Sequence, residues 1–239
     1  MSDARTRVSG AAEVGRALDE QRLVRRLVVA EDAEPALAEL VSRAEASGVP
    51  VDRVAGNRQR RLLGDAEIAA LVGPDVDAPL DAVMARGGAV WLLVGTAYAG
   101  NIGTAVRTAE VSGADGVYVD NGFDHEQRRE TRRASMRADR FLPFAWESAG
   151  EVLGAARRAG KRIVGVEDSG ALAPWECALA ESVLCVVGGE SEGVPPTLLR
   201  RCDDVVRIPM SGFVTSYNLQ AAVAMLAAER LRQLGNASV

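Results

Sequence analysis

An α/β fold built on a parallel sheet is predicted for most of this 239-residue chain, with a smaller α/β unit in front of it. Three observations predict it. Five near-continuous apolar segments, at 89–94, 116–119, 162–166, 182–187 and 205–210, lack the alternation of a half-exposed strand. Helical patterns separate most of them, at 102–111, 148–159 and 195–201, and a last helix is predicted at 219–234. Strands buried on both faces and joined by helices indicate a parallel sheet covered on each side. Finally, residues 73–88 hold two prolines and the pair Gly87-Gly88, and read as a linker between 1–72 and 89–239.

In the leading unit a helical spacing at 11–21 is followed by a strand at 26–30. A helix rich in Ala, Leu and Glu at 35–47 and a strand at 49–54 complete it. Such a unit is below the common domain size but feasible.

Composition narrows the class. Hydrophobic residues make up 48% of the chain, enough for a packed core, and the 26% charged are interspersed, which argues against long disorder. No apolar run is long enough for a membrane span, and the start, Met-Ser-Asp-Ala-Arg-Thr-Arg, has no apolar segment behind it, so no secretory signal is expected. Cys177, Cys185 and Cys202 show no CxxC spacing, which suggests a reduced, cytoplasmic protein without a cysteine-based metal site. The one histidine, His125, cannot supply a multi-His site; between Asp124 and Glu126 it reads as a solvated loop residue. No metal is expected.

The formal net charge of −5 does not advertise nucleic-acid binding, but its distribution is uneven. Arg128, Arg129, Arg132, Arg133, Arg137 and Arg140 crowd one stretch against Glu126, Glu130 and Asp139, and Arg53, Arg58, Arg60 and Arg61 form a second cluster without an acid. Arginine forks match phosphate geometry, so local patches of this kind can bind RNA on an acidic protein. A solvated, salt-bridged surface explains the same charges equally well. Arg58, Arg60 and Arg61, with Arg128, Arg129, Arg132, Arg133 and Arg137, are the candidate RNA contacts.

Three loops carry the chemistry. Val186-Val187-Gly188-Gly189-Glu190-Ser191-Glu192-Gly193 and Ile208-Pro209-Met210-Ser211-Gly212-Phe213-Val214-Thr215-Ser216-Tyr217-Asn218 are apolar strand ends that break into Gly, Ser and polar groups before a helix. Glycine lets a ligand approach the backbone, and open α/β sheets bind ligands at the carboxyl ends of their strands. The third loop, Gly95 to Gly103, lacks the GxGxxG spacing, and the chain has no glycine-lysine-serine/threonine element, so dinucleotide and ATP-phosphate binding are disfavoured. It does offer Asn101 as a helix N-cap and, six residues on, Arg107, with the space of Gly103 one turn before it and Glu110 as a possible structural partner.

Taken together, Asn-Ile-Gly…Arg-Thr, then Gly-Gly-Glu-Ser-Glu-Gly, then Ile-Pro-Met-Ser-Gly…Ser-Tyr-Asn resembles the TrmH branch of the SPOUT RNA methyltransferases, in order, over 89–233. The leading unit resembles the ribosomal-protein-L30e-like RNA-binding domain. The resemblance implies a trefoil knot at the carboxyl end, an exception to the rule against threaded chains, and S-adenosylmethionine bound in it against Gly188, Gly189, Ile208, Met210 and Tyr217. It implies a catalytic set of Asn101, Arg107, Glu190, Ser216 and Asn218, and a homodimer with sites completed across the interface.

The implied reaction moves a methyl group to a ribose 2′-hydroxyl of structured RNA, with 23S rRNA favoured over tRNA because of the L30e-like unit. Arg107 is always protonated and a poor base, so its expected work is to hold a phosphate and stabilise developing negative charge. Glu190 has two readings, a catalytic one and a structural one as acceptor of backbone N–H bonds in its own loop. Ser216 is expected to line the site and to cap the last helix. Two positions depart from the family's pattern: Tyr217 stands where leucine is usual, and Ser135-Met136-Arg137-Ala138 replaces Ser-x-Gly-Ala. The alternatives are a tRNA 2′-O-methyltransferase, a non-catalytic RNA-binding protein that keeps the knot, and an enzyme that methylates a base nitrogen.

Overall fold

The computed structural model describes residues 6–73, 75–214 and 216–236, without the side chains of Thr6, Arg61 and Asn236. The chain divides into two units, Met1–Asp75 and Val76–Val239. The first holds β1 (Thr6–Ser9), α1 (Ala11–Asp19), β2 (Val24–Ala30), α2 (Ala38–Ala46), β3 (Val51–Val54), α3 (Gly56–Leu63) and β4 (Ile68–Val72). Its sheet runs β1-β4-β2-β3, and only β2 and β3 are parallel neighbours. Val14, Ala17, Val41 and Ala44 of α1 and α2 pack on Leu27, Val29, Ile68 and Ala70 of the sheet. The sequence reading missed β1, α3 and β4; α3 is a run of Arg and Gln with little apolar periodicity, and β4 is short.

The second unit begins with α4 (Leu80–Met84), β5 (Ala89–Val94), α5 (Ala99–Val111), β6 (Gly116–Asp120), α6 (His125–Ala134) and β7 (Phe144–Trp146). It continues with α7 (Ala149–Arg158), β8 (Arg162–Val166), β9 (Val183–Gly188), α8 (Pro196–Leu199), β10 (Asp204–Val206) and α9 (Leu219–Asn236). Six strands in the order β10-β8-β9-β5-β6-β7 pair in parallel throughout. Every residue of β5 is buried, and successive side chains serve opposite faces: Trp91 and Leu93 pack under α5 and α9, Val90 and Leu92 under α4 and α7. This is why the strand reads as an unbroken apolar run.

Four expectations change. The stretch read as linker contains α4, whose Val83 and Met84 are buried in the sheet's core. The strand expected at 205–210 ends at Val206; Arg207 donates its N–H to the Leu172 carbonyl instead of extending the ladder, and Pro209 has no N–H to give. His125 opens a helix, α6, rather than lying in a loop, because Asp124 and Gln127 form a capping box ahead of a segment with little apolar character. Asn101 is not an N-cap: α5 starts two residues earlier, and the Tyr98 carbonyl accepts the Asn101 and Ile102 N–H groups.

The amino ends of the three central strands are held by one side chain. Lys161, just before β8, is 2% exposed, and its Nζ lies 2.7 Å from the carbonyls of Arg86 and Gly88 and 3.0 Å from Ser182 Oγ. Gly88 precedes β5 and Ser182 precedes β9, so a single ammonium joins the starts of β5, β8 and β9. Burial pushes its pKa down from 10.5 to about 8. Between those values the unfolded chain holds a proton that the folded one does not, so this group's contribution to stability rises with pH. The buried thiols of Cys185 and Cys177 and the half-buried one of Cys202, pushed up to about 12, 11 and 11 by loss of solvent, oppose it above pH 9. Lys161→Met is expected to cost about 1–3 kcal/mol at pH 7 by stranding carbonyl acceptors. Denaturant titrations should show its deficit against wild type growing from pH 8 to pH 10.

Candidate active site

The site lies where the carboxyl ends of β8, β9 and β5 meet, as expected of an open parallel sheet. The ladder between β5 and β9 continues one residue past the strand: Gly189 N–H donates to the Val94 carbonyl at 2.9 Å. Two backbones can pass this closely only without side chains. A Cβ on Gly189 would overlap the Gly95 carbonyl oxygen, and one on Gly188 would overlap the Gly193 carbonyl. The loop then folds on itself, Gly193 N–H reaching the Gly189 carbonyl at 3.0 Å, with Gly193 at φ +63°, where a side chain is disfavoured.

Glu167, at the end of β8, fixes the loop from outside. Its Oε2 accepts the Val194 N–H at 2.7 Å and its Oε1 the Asp168 N–H at 3.1 Å. The loop-holding carboxylate foreseen for Glu190 is therefore Glu167. Glu190 turns the other way and accepts a hydrogen bond from Asn101 Nδ2 at 2.5 Å. This pair bridges the loop after β9 and the first turn of α5, residues distant in sequence.

A cavity of about 300 Å³ opens between these loops. Gly188, Gly189, Glu190, Ile208, Met210, Ser216 and Tyr217 all line it, with Val166, Val187, Leu219 and Ala222 as apolar wall. Glu167, Asp168, Glu190 and Glu192 give it four carboxylates, and among the described residues no Lys or Arg lines it. Tyr217 closes one side: its hydroxyl donates to the Pro209 carbonyl at 3.1 Å and clips the ends of the loop together. Asn218, rather than Ser216, caps α9, its Oδ1 accepting the Gln220 N–H at 3.0 Å. Asn218 and Arg107 do not line this cavity. Asn101 touches it only through Glu190, and lines a second cleft with Tyr98, Gly100, Gln127 and Glu130.

The space at Gly103 is not left for Arg107. The end of α6 fills it: a Cβ there would lie 2.5 Å from Ala134 Cβ and the Thr131 carbonyl. Arg107, one turn further along α5, is exposed and makes no side-chain hydrogen bond or ion pair among the described residues. The basic stretch splits in two. Arg128 lies 5.0 Å from the Trp146 ring centre and donates through Nε to the Phe123 carbonyl. Arg132 lies over Phe144 and pairs with Asp139 at 3.2 Å, and Arg129 reaches Glu126 at 3.9 Å. Arg133 and Arg137 are exposed without such partners among the described residues. Met136 and Arg137 both have left-handed backbones, φ +53° and +73°, at a cost of about 1–2 kcal/mol each. In the first unit Arg58 reaches Asp52 at 3.5 Å, Arg60 is exposed, and the side chain of Arg61 lies outside the described residues.

Sequence reading missed Glu167 and Asp168, although Glu167-Asp168-Ser169-Gly170 repeats the signal it used elsewhere, a polar, glycine-containing break after an apolar strand. Tyr98, Gln127 and Glu130 carried no local signal, since only the packing of α5 on α6 brings them together. Among the described residues no group of three or more His, Cys, Asp or Glu is placed to hold a metal, and no helix is long and apolar enough to cross a membrane.

These strands and loops define a class, a parallel α/β domain with its candidate site on strand-end loops. The chain belongs to the SpoU rRNA Methylase family, which matches residues 89–228, and so is an RNA methyltransferase of the TrmH-like SPOUT type. An uncharacterized tRNA/rRNA methyltransferase of Archaeoglobus fulgidus is 27% identical over 221 residues, 92% of this chain and 95% of that one. The 23S rRNA (guanosine(2553)-2′-O)-methyltransferase RlmP of Bacillus subtilis is 27% identical over 127 residues, covering 53% of this chain and 51% of its own length. The SpoU methyltransferase AviRb of Streptomyces viridochromogenes, solved in complex with its cofactor AdoMet, superposes with a TM-score of 0.61 at 25% identity over 98% of this chain and 92% of that one.

Gly189→Ala tests the loop crossing. Forcing a methyl group against the Gly95 carbonyl is expected to cost about 1–3 kcal/mol, or about 2–4 °C of thermal midpoint for each kcal/mol. Gly212→Ala, where a Cβ meets nothing within 4 Å, should leave the midpoint in place.

Proposed function

We propose that this protein methylates a ribose 2′-hydroxyl in structured RNA with S-adenosylmethionine, rRNA being preferred to tRNA. The observation that carries the reading is the Asn101–Glu190 hydrogen bond, because it joins two clefts: Glu190 lines the cavity between the strand-end loops and Asn101 lines the cleft beside Tyr98. The chemistry of the cavity fits the cofactor. S-adenosylmethionine is a cation at the sulfur with an apolar-faced adenine, and the cavity offers four carboxylates, an aliphatic wall and, among the described residues, no cation. Its volume falls at the lower end of the range for small-molecule sites. Gly188, Gly189, Ile208, Met210 and Tyr217 would hold the cofactor, with Tyr217 pinning the loop over it.

When bound, S-adenosylmethionine supplies a methyl group activated by the sulfonium. The residues therefore supply position and proton management. Asn101 spends one N–H on Glu190, which leaves its Oδ1 and second N–H to orient the acceptor sugar in the cleft. The displacement releases one proton, and the Glu190 carboxylate, bonded to Asn101, is the acceptor this geometry offers. Arg107 stays charged and holds a substrate phosphate or the developing alkoxide. Asn218 sets the start of α9, with Ser216 on the cavity wall. The 23S rRNA activity in the name of the B. subtilis relative supports the rRNA preference.

Two structural parts of the reading belong here. The path from β9 over β8 to β10, with α9 returning to pack on α5, supports a knotted carboxyl end. A homodimer is supported by Val111 of α5 and Leu231 of α9, apolar side chains left on the surface.

Isothermal titration with S-adenosylmethionine should detect saturable binding, and no heat at millimolar cofactor would sink the reading. Arg107→Ala is expected to lower transfer of a tritiated methyl group to extracted rRNA by about 10²–10³-fold while cofactor affinity stays within twofold. Mapping of the product should place the label on a ribose 2′-oxygen.

A further inference from the structure

The turn after α6 is strained at its exposed tip. Met136 and Arg137 are consecutive non-glycine residues in the left-handed region, φ +53° and +73°, where a Cβ crowds the backbone. Both are exposed, Met136 by 70%. The turn is held rigidly from both sides. Ser135 is buried, its Oγ 2.7 Å from the Arg132 carbonyl and from Asp139 Oδ1, and Ala138 is part of the core under α5. Backbone strain held in place by its surroundings and exposed at its tip is characteristic of binding segments.

The charges around the turn point to the ligand. Arg128 and Arg132 are committed to aromatic rings, a carbonyl and a carboxylate, and so belong to the fold. Arg133 and Arg137 are left without a counter-charge among the described residues. The same end of α6 rests on Gly103 of α5, one helical turn from Arg107. We infer that Arg137 is a substrate-positioning phosphate contact: the exposed left-handed turn offers its guanidinium to the backbone of the RNA that enters next to Arg107. This rests on the RNA methyltransferase reading, and names which basic side chains face the substrate. A planar guanidinium fork suits a phosphate through paired N–H donors.

Arg137→Gly separates binding from folding, since glycine is the residue that this backbone accepts without strain. In the full-length protein it is expected to hold or raise the thermal midpoint and to leave S-adenosylmethionine affinity unchanged. Affinity for a fluorescein-labelled RNA stem–loop should fall about tenfold, the size of one charge-assisted contact. The slope of log affinity against log salt should shrink by about 0.7–0.9, as for one lost phosphate contact. Arg137→Lys, which keeps the charge, should retain most of that slope. Wild-type affinity and slope in Arg137→Gly, with wild-type protein still transferring methyl groups, would overturn the assignment and leave the proposed function standing. Failure of the wild-type protein to bind or methylate RNA would remove both.

Discussion

The candidate site depends on one close passage of backbone. Because Gly189 and Gly95 meet without side chains, the loop after β9 continues the β5 ladder by one more hydrogen bond and only then turns away. That passage brings Glu190 to Asn101, although 89 positions separate them in the chain. A methyl group at Gly189 would wedge the two loops apart and draw Glu190 away from Asn101. The glycines here act by letting rigid elements touch, so the polar groups they carry are placed by strands rather than by flexible loops.

Around that passage the remaining parts are braces. Glu167 ties the loop from β8 through the Val194 N–H, while its other oxygen accepts the N–H of its own neighbour Asp168. Tyr217 clips the last loop shut through the Pro209 carbonyl, so the residue that departs from the family's usual leucine has a mechanical task in this chain. Asn218 starts α9 in the register that places Leu219 and Ala222 on the cavity wall. Each brace uses a side chain to satisfy backbone that the loop geometry would otherwise leave unpaired.

How much of this was legible in the sequence follows from where the information lies. The buried strands were, because a segment covered on both faces has to be apolar along its whole length, as β5 is. The cavity-lining residues of the loops after β9 and β10 were, because their strand-to-loop breaks are local, whereas Glu167 and Asp168 after β8 were not picked out. Partners were not. Whether Glu190 faced its own loop or Asn101, and whether Asn101 capped α5 or reached across, depends on contacts between distant segments. The short, polar elements α3 and α6 also escaped, since helices rich in Arg, Glu and Gln carry little apolar periodicity. Gly103 shows the same limit: its lack of a side chain was visible, but the neighbour that needs the room, Ala134, was not.

Lys161 has a consequence for motion. Its ammonium closes three carbonyl and hydroxyl contacts at the starts of β5, β8 and β9, and those strands carry the cavity at their far ends. None of the three can open at its start without releasing the others, so they form one cooperative unit rather than three independently fraying strands. Amide exchange in their interiors would then proceed only through concerted opening.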